Sequence, residues 1–174
     1  MLDQELCARH FTTSAIYIVD QIWHRAADRS MGSAELTEQT TTMLLLWSLL
    51  RWERKVGLVA HEHSGVELDS LARDLDALLR EASSDAGKQL ADLRQYTILA
   101  TGKRAEIIDF RTPLEPVLAQ AEHEALALGH NYVGTEHLLL AMINRACPRL
   151  LYLLAKHSVS YDRIRQSVLE ALAG

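Results

Sequence analysis

Three histidines recur at seven-residue steps, His123, His130 and His137, and another pair, His61 and His63, lies two apart. Imidazole nitrogens ligate metals and move protons near neutral pH, so both chemistries have to be weighed. Neither is completed by its surroundings. Residues two apart on a helix point in different directions, so His61, Glu62 and His63 read as a solvated helix end. A loop separates His130 from His137, and these two read as groups that satisfy backbone donors and caps. The chain has no HExxH and no paired cysteines, so no metal is expected. Cys147 precedes Pro148 at a predicted helix start, where a thiolate is stabilised, but no catalytic signature surrounds it. Nor is there a G-x-x-x-x-G-K-[ST] loop to cradle phosphates, since Thr101-Gly102-Lys103 lacks the earlier glycine. No cofactor, nucleotide or enzymatic activity is expected.

The elements that must position these groups are helices. The chain has 174 residues, a net charge of −5, 48% hydrophobic residues and 3 prolines. That apolar fraction suffices for a buried core, and a pI of about 5.9 argues against nucleic-acid partners, whose binders are basic. Two cysteines, Cys7 and Cys147, are too few for a disulfide scaffold, which points to a reduced, cytoplasmic protein. The acidic start at Met1–Glu5 lacks the basic region of a signal peptide, and the apolar run from Met43 to Leu50 is too short to cross a bilayer. Apolar residues recur at three- and four-residue steps, as in Leu68, Leu71, Leu75 and Leu78, or Ile164, Val168 and Leu172. The fold class is all-α.

Caps set the expected boundaries. Thr12 or Thr13 starts a helix running to about Asp28, and Thr37 one running to about Arg54. A short helix from about Lys55 stops near Gly65, and Glu67–Leu79 follows. Thr112-Pro113 opens a helix that ends at Gly129. Thr135 caps the next, to about Arg145; Pro148 opens another, to His157; Ser160 caps the last, ending near Ala173. Arg51, Arg54 and Lys55 read as a solvated helix end, and Trp23, Trp47, Trp52 and Leu44–Leu46 as core.

The two halves align with each other. A shift of 93 pairs Thr42, Leu45, Leu46 and Ser48 with Thr135, Leu138, Leu139 and Ala141, and pairs Asp69 with Asp162 and Leu71 with Ile164. Upstream the shift is 99, pairing Phe11 with Phe110, Ile18 with Val117 and Val19 with Leu118. The difference places a six-residue insertion between Ala26 and Thr42. The organisation expected is a first four-helix repeat over 10–80, a linker over 81–110 and a second repeat over 111–174, forming one compact domain. Ser83-Ser84-Asp85 can cap an extra helix in the linker, packed over the seam or docking a partner.

The most informative stretch is Leu128-Gly-His-Asn-Tyr-Val-Gly-Thr-Glu-His-Leu-Leu-Leu-Ala141. Gly129 ends a helix, His130-Asn131 turn the chain, Val133 plugs the core, and Glu136 falls in the first turn of the next helix, where the macrodipole favours a carboxylate. This phrase resembles the N-terminal repeat domain of the Clp/Hsp100 AAA+ unfoldases, closest to the ClpC and ClpA type. Phe11-Thr12-x-x-Ala15 is similar to that family's repeat opening. The resemblance implies a pseudo-twofold bundle of eight helices that receives protein substrates and adaptors ahead of the ATPase rings. In ClpC-type members it further implies recognition of phosphorylated arginine, with the motif glutamate, Glu136 by position, holding the guanidinium. A carboxylate can accept a bidentate pair of hydrogen bonds from that group. Thr135, Thr112 and Thr12 are the other candidate binding residues.

The first repeat departs from the pattern. The 93-residue offset sets Met43 opposite Glu136 and Leu44 opposite His137, so one arginine-binding glutamate is lost there. Glu38, one turn earlier, is a possible substitute if the insertion repositions it. Met43, Leu44 and Trp47 would make the first repeat's surface apolar, suited to a fixed protein partner. No ATPase module fits in the remaining residues. The expectation is a non-catalytic module that binds substrates or adaptors of a Clp ATPase–protease or regulates it. The alternative is the detached recognition domain of a longer Clp chaperone, with phosphoarginine as a possible ligand. Purified protein is expected to show no ATP turnover and no rise in Tm with nucleotide; clear nucleotide-dependent stabilisation would overturn this reading.

Overall fold

A computed structural model describes residues 2–28, 37–52, 70–80 and 111–173. The short helix after Lys55, the Gly65 stop, the linker helix in 81–110 and the His61–His63 pair lie outside them. Every regular element within them is helical: α1 Leu2–Ala8, α2 Thr13–Asp28, α3 Glu38–Trp52, α4 over 70–80, α5 Arg111–Ala127, α6 Thr135–Asn144, α7 Pro148–Lys156 and α8 Tyr161–Ala173. The all-α expectation is met. α1 was not anticipated from sequence, because it precedes the first repeated position.

Hydroxyl caps begin three helices. The Thr12 hydroxyl accepts the Ala15 N–H at 3.3 Å, and Ser160 does the same for Arg163. At α3 the cap is reciprocal: Thr40 N–H donates to the Thr37 hydroxyl at 3.2 Å, and Thr37 N–H to the Thr40 hydroxyl at 2.9 Å. Each pair satisfies donors that a helix start leaves open. Among the described residues α5 runs from Arg111, two residues ahead of the Pro113 expected to open it, and Pro116 lies inside it. It ends as expected, because Gly129 adopts φ +77° and lets His130 N–H return to the Ala125 carbonyl at 2.9 Å.

α3 is the centre of the bundle and packs against α2, α5 and α6. All of its residues from Thr40 to Leu49 are buried. This corrects the expectation of an apolar surface there: Met43, Leu44 and Trp47 are core residues, because a helix surrounded on all sides has no outward face. Several positions paired by the two sequence offsets are both buried, as at Ile18 and Val117, Leu45 and Leu138, and Leu71 and Ile164, whereas Leu46 is buried and its counterpart Leu139 only partly so.

Polar contacts fix the outer helices. The Arg9 guanidinium, just after α1, forks onto Glu115 and Glu122 of α5 at 2.7 to 3.1 Å, and those carboxylates raise its already high pKa. Asp74 of α4 accepts from Lys156 at 2.6 Å and from His157 at 3.0 Å at the end of α7. Those two donors hold the Asp74 carboxyl below its ordinary value. Glu124 of α5 is 2% exposed and gathers Gln120, Asn144 of α6 and the Tyr161 hydroxyl of α8. Burial, and then this carboxylate, push the Tyr161 phenol up to about 12.

Removing the buried Glu124 takes the shared acceptor from three donors, of which Gln120 and Tyr161 are half-buried and Asn144 is exposed, so Glu124→Ala should cost about 2 kcal/mol of unfolding free energy in urea titration. Tyr161→Phe removes one donor and leaves Glu124 its other partners, and should cost about half as much. Equal losses, or none, would contradict the hub.

Candidate protein-binding site at the start of α6

The site grows from a tight passage between two helices. After α5 the chain reverses at Gly129, bends through Asn131 and Tyr132, forms a single parallel bridge from Val133 to Phe11, and enters α6 from Gly134. Val133 is buried and makes two backbone hydrogen bonds with the opening of α2, its N–H to His10 O and its O from Thr12 N–H, both 2.9 Å. The plug expected of Val133 is therefore also a strap between distant parts of the chain.

Thr135 was expected to cap α6; the structure corrects this. Gly134 is the cap, and Thr135 is the first helical residue, with its side chain buried. Glycine has no side chain to cap with, so the reciprocal half of the cap does the work: Gly134 N–H donates to His137 Nδ1 at 2.9 Å. An imidazole three residues in here takes the place of the usual Glu or Gln. His137 is fully buried and sits 2.8 Å, Nε2 to Nδ1, from His130. His130 in turn stacks on Tyr132, with ring centres 5.1 Å apart and planes 7° from parallel.

Glu136 lies over this assembly. Its carboxylate folds back across Gly134, where any Cβ would collide with it, and its side chain is 22% exposed. The Tyr132 hydroxyl faces the carboxylate, and burial together with that charge raises the phenol above its ordinary value. Glu136 Oε1 is 3.4 Å from His137 Nδ1, but this is no ion pair. Burial holds the His137 pKa below its ordinary 6.5, outweighing the pull of Glu136, and the nitrogen concerned already accepts a hydrogen bond. Glu136 stands in the first turn of α6, where the helix dipole favours an acidic side chain.

One atom each from His130, Glu136 and His137 come within 4.8 Å of one another, a spacing a metal could bridge. The observed bonding competes with that use. A metal on His137 Nε2 calls for a proton on Nδ1, where the Gly134 amide already points its own. His137 serves the Gly134 amide, and His130 serves His137.

Of the four candidate residues, Thr12 and Thr135 come to the loop that carries Glu136, one through its backbone bond to Val133 and one as its immediate neighbour. Both are committed to structure, Thr12 as the cap of α2. Thr112 is exposed in the first turn of α5. Glu38, the possible substitute in the first repeat, receives the chain's own Arg145, whose Nε donates at 2.7 Å. Sequence reasoning missed Tyr132 and Gly134, although both stand within the motif. A glycine directly before a first-turn acid is the signal that could have found the second of them.

Residues 109–174 match the family model of the Clp repeat (R) N-terminal domain. The chain is 29% identical over 119 residues to the chaperone protein ClpB of Oceanobacillus iheyensis, covering 66% of this chain and 15% of that protein. It is equally similar, over the same shares, to the negative regulator of genetic competence ClpC/MecB of Bacillus subtilis. An uncharacterised Mycobacterium tuberculosis protein is 44% identical over 69 residues, which is 38% of this chain and 26% of that one. The chain thus spans 15 to 26% of the length of these relatives.

Gly134 has φ −95°, which any residue adopts, so Gly134→Ala should leave the fold intact while displacing the flexible Glu136 carboxylate. A Tm change of a few degrees at most is expected, with the Tyr132 phenol returning toward an ordinary titration; an unchanged Tyr132 titration would show that Gly134 does not seat Glu136. By motif and by the family-model match, residues 109–174 are similar to a Clp repeat (R) N-terminal domain.

Proposed function

We propose that this protein is a non-catalytic protein-binding module that works with a Clp ATPase–protease, by docking substrates or adaptors or by regulating the machine. One observation carries the reading: Glu136, a partly exposed acidic side chain, is seated by Gly134 beside Tyr132 at the start of α6. A carboxylate next to an aromatic ring suits a guanidinium, which can fork onto the acid and stack on the ring. The ligand class this favours is an arginine side chain presented by a protein, phosphorylated or not. Binding is single-sited, since Met43 stands where a second glutamate would be and Glu38 is taken by Arg145. The work is done in a reducing compartment, the cytoplasm.

The names of the relatives support a second form of the same reading. The matched proteins include ClpA homologues as well as ClpB and ClpC, of which the chain matches 9 to 15%. The domain would then serve as the recognition part of a longer ATP-dependent chaperone. A reading frame that continues into ATPase motifs would decide for that form.

The test is affinity capture from the source-cell lysate, with Glu136→Ala alongside. A first-turn surface carboxylate contributes under about 1 kcal/mol to stability, so the variant should fold normally. Recovery of a Clp ATPase, its protease or their substrates by the wild type, and their loss in the variant, is the expected result. A well-folded wild type that recovers none of these refutes the proposal, and equal recovery by both proteins refutes the role of Glu136.

A further inference from the structure

The hydrogen bonds around His137 have a fixed direction. A backbone amide only donates, so the His137 Nδ1 that accepts from Gly134 at 2.9 Å carries no proton. A neutral imidazole then has its proton on Nε2, and this faces His130 Nδ1 at 2.8 Å. His130 Nδ1 must accept it, and so is bare as well. The chain runs from Gly134 N–H through His137 to His130, with both rings neutral. Adding a proton to either ring puts it on a nitrogen that now accepts, and two donors then face each other across less than 3 Å.

The segment held by this chain also carries the Val133 strap. Its two bonds, to His10 O and from Thr12 N–H, tie the opening of α2 to the start of α6. We propose that the Gly134–His137–His130 chain is an acid-released latch: proton uptake by His137 frees the 129–134 loop, and with it the Val133 strap and the seat of Glu136.

The charged and titratable groups facing His137 are Glu136 on its own helix, His130 and Tyr132 from the loop, and Glu124 from α5. The two carboxylates favour the charged ring, whereas burial and His130 oppose it, and burial is the largest effect. The folded-state pKa therefore lies below the ordinary 6.5. For a group depressed in this way, the stabilisation is whole above the unfolded-state value. It declines as pH falls below that value, where the unfolded chain takes up a proton that the folded one excludes, and it levels off only below the folded-state pKa.

The experiment is amide hydrogen exchange read by NMR between about pH 7 and pH 5, the range an imidazole spans, with chelator present throughout. Protection factors, corrected for intrinsic rates, are followed for Val133 and Thr12 against core amides of α2 and α5. Imidazole nitrogen shifts in the same samples report the protonation of His137. The comparison variant is His137→Gln, which keeps an acceptor for Gly134 N–H at the usual residue type for that cap position and removes the titrating group.

The latch requires wild-type protection at Val133 and Thr12 to fall about tenfold or more relative to the core, a difference worth one pKa unit, and to stay constant in the variant. Protection that falls equally in both proteins, or in neither, overturns the proposal. If the variant does not fold, the wild type still decides. Loss of protection must share its midpoint with protonation of His137 Nδ1, and a separate midpoint overturns it.

Discussion

Two backbone hydrogen bonds at Val133 determine how this structure is assembled. They join the segment that opens α2 to the segment that opens α6, and they bring together residues from opposite ends of the sequence. Neither segment is part of a sheet, so each bond has to be made by a loop held in one shape. Gly129 supplies the reversal on one side, and the His137 acceptor fixes the exit at Gly134 on the other. Burial of Val133 then closes the loop against the core. The motif is dense because nearly every residue in it has a steric or hydrogen-bonding duty.

That density separates two kinds of legibility. Helix class, most caps and the ends of α5, α7 and α8 could be read from residue types, because hydroxyls, proline and glycine act locally. The core of α3 was readable as apolar but not as fully enclosed. Whether Met43, Leu44 and Trp47 faced outward depended on which helices packed around them, and no local pattern encodes that. The same limit explains Thr135. Threonine is a fair cap by type, but the glycine before it has the extended backbone a cap needs, and a histidine three residues on provides the acceptor. A cap built from the helix side cannot be seen by scanning for hydroxyls.

The site divides in the same way. Glu136 could be picked out because a motif marked it, and the structure supplies what the motif does not state: an aromatic neighbour, a seat made by a missing Cβ, and a neutral histidine pair behind it. Glu38 is the instructive contrast. It too begins a helix, but Arg145 from the end of α6 has reached it first, so one carboxylate is spent inside the molecule while the other is left to meet something outside.

The fork of Arg9 bears on where this domain can be cut. Sequence repetition begins near residue 10, and a shortened chain drawn to that boundary would look natural. It would nonetheless discard Leu6, which is wholly buried, and the guanidinium that neutralises both Glu115 and Glu122. Two like charges would then stand unrelieved along one face of α5, beside a hole where α1 had packed. The stretch over which the two sequence offsets pair residues is shorter than the set of helices that packs together, and the seven residues of α1 belong to the second without belonging to the first.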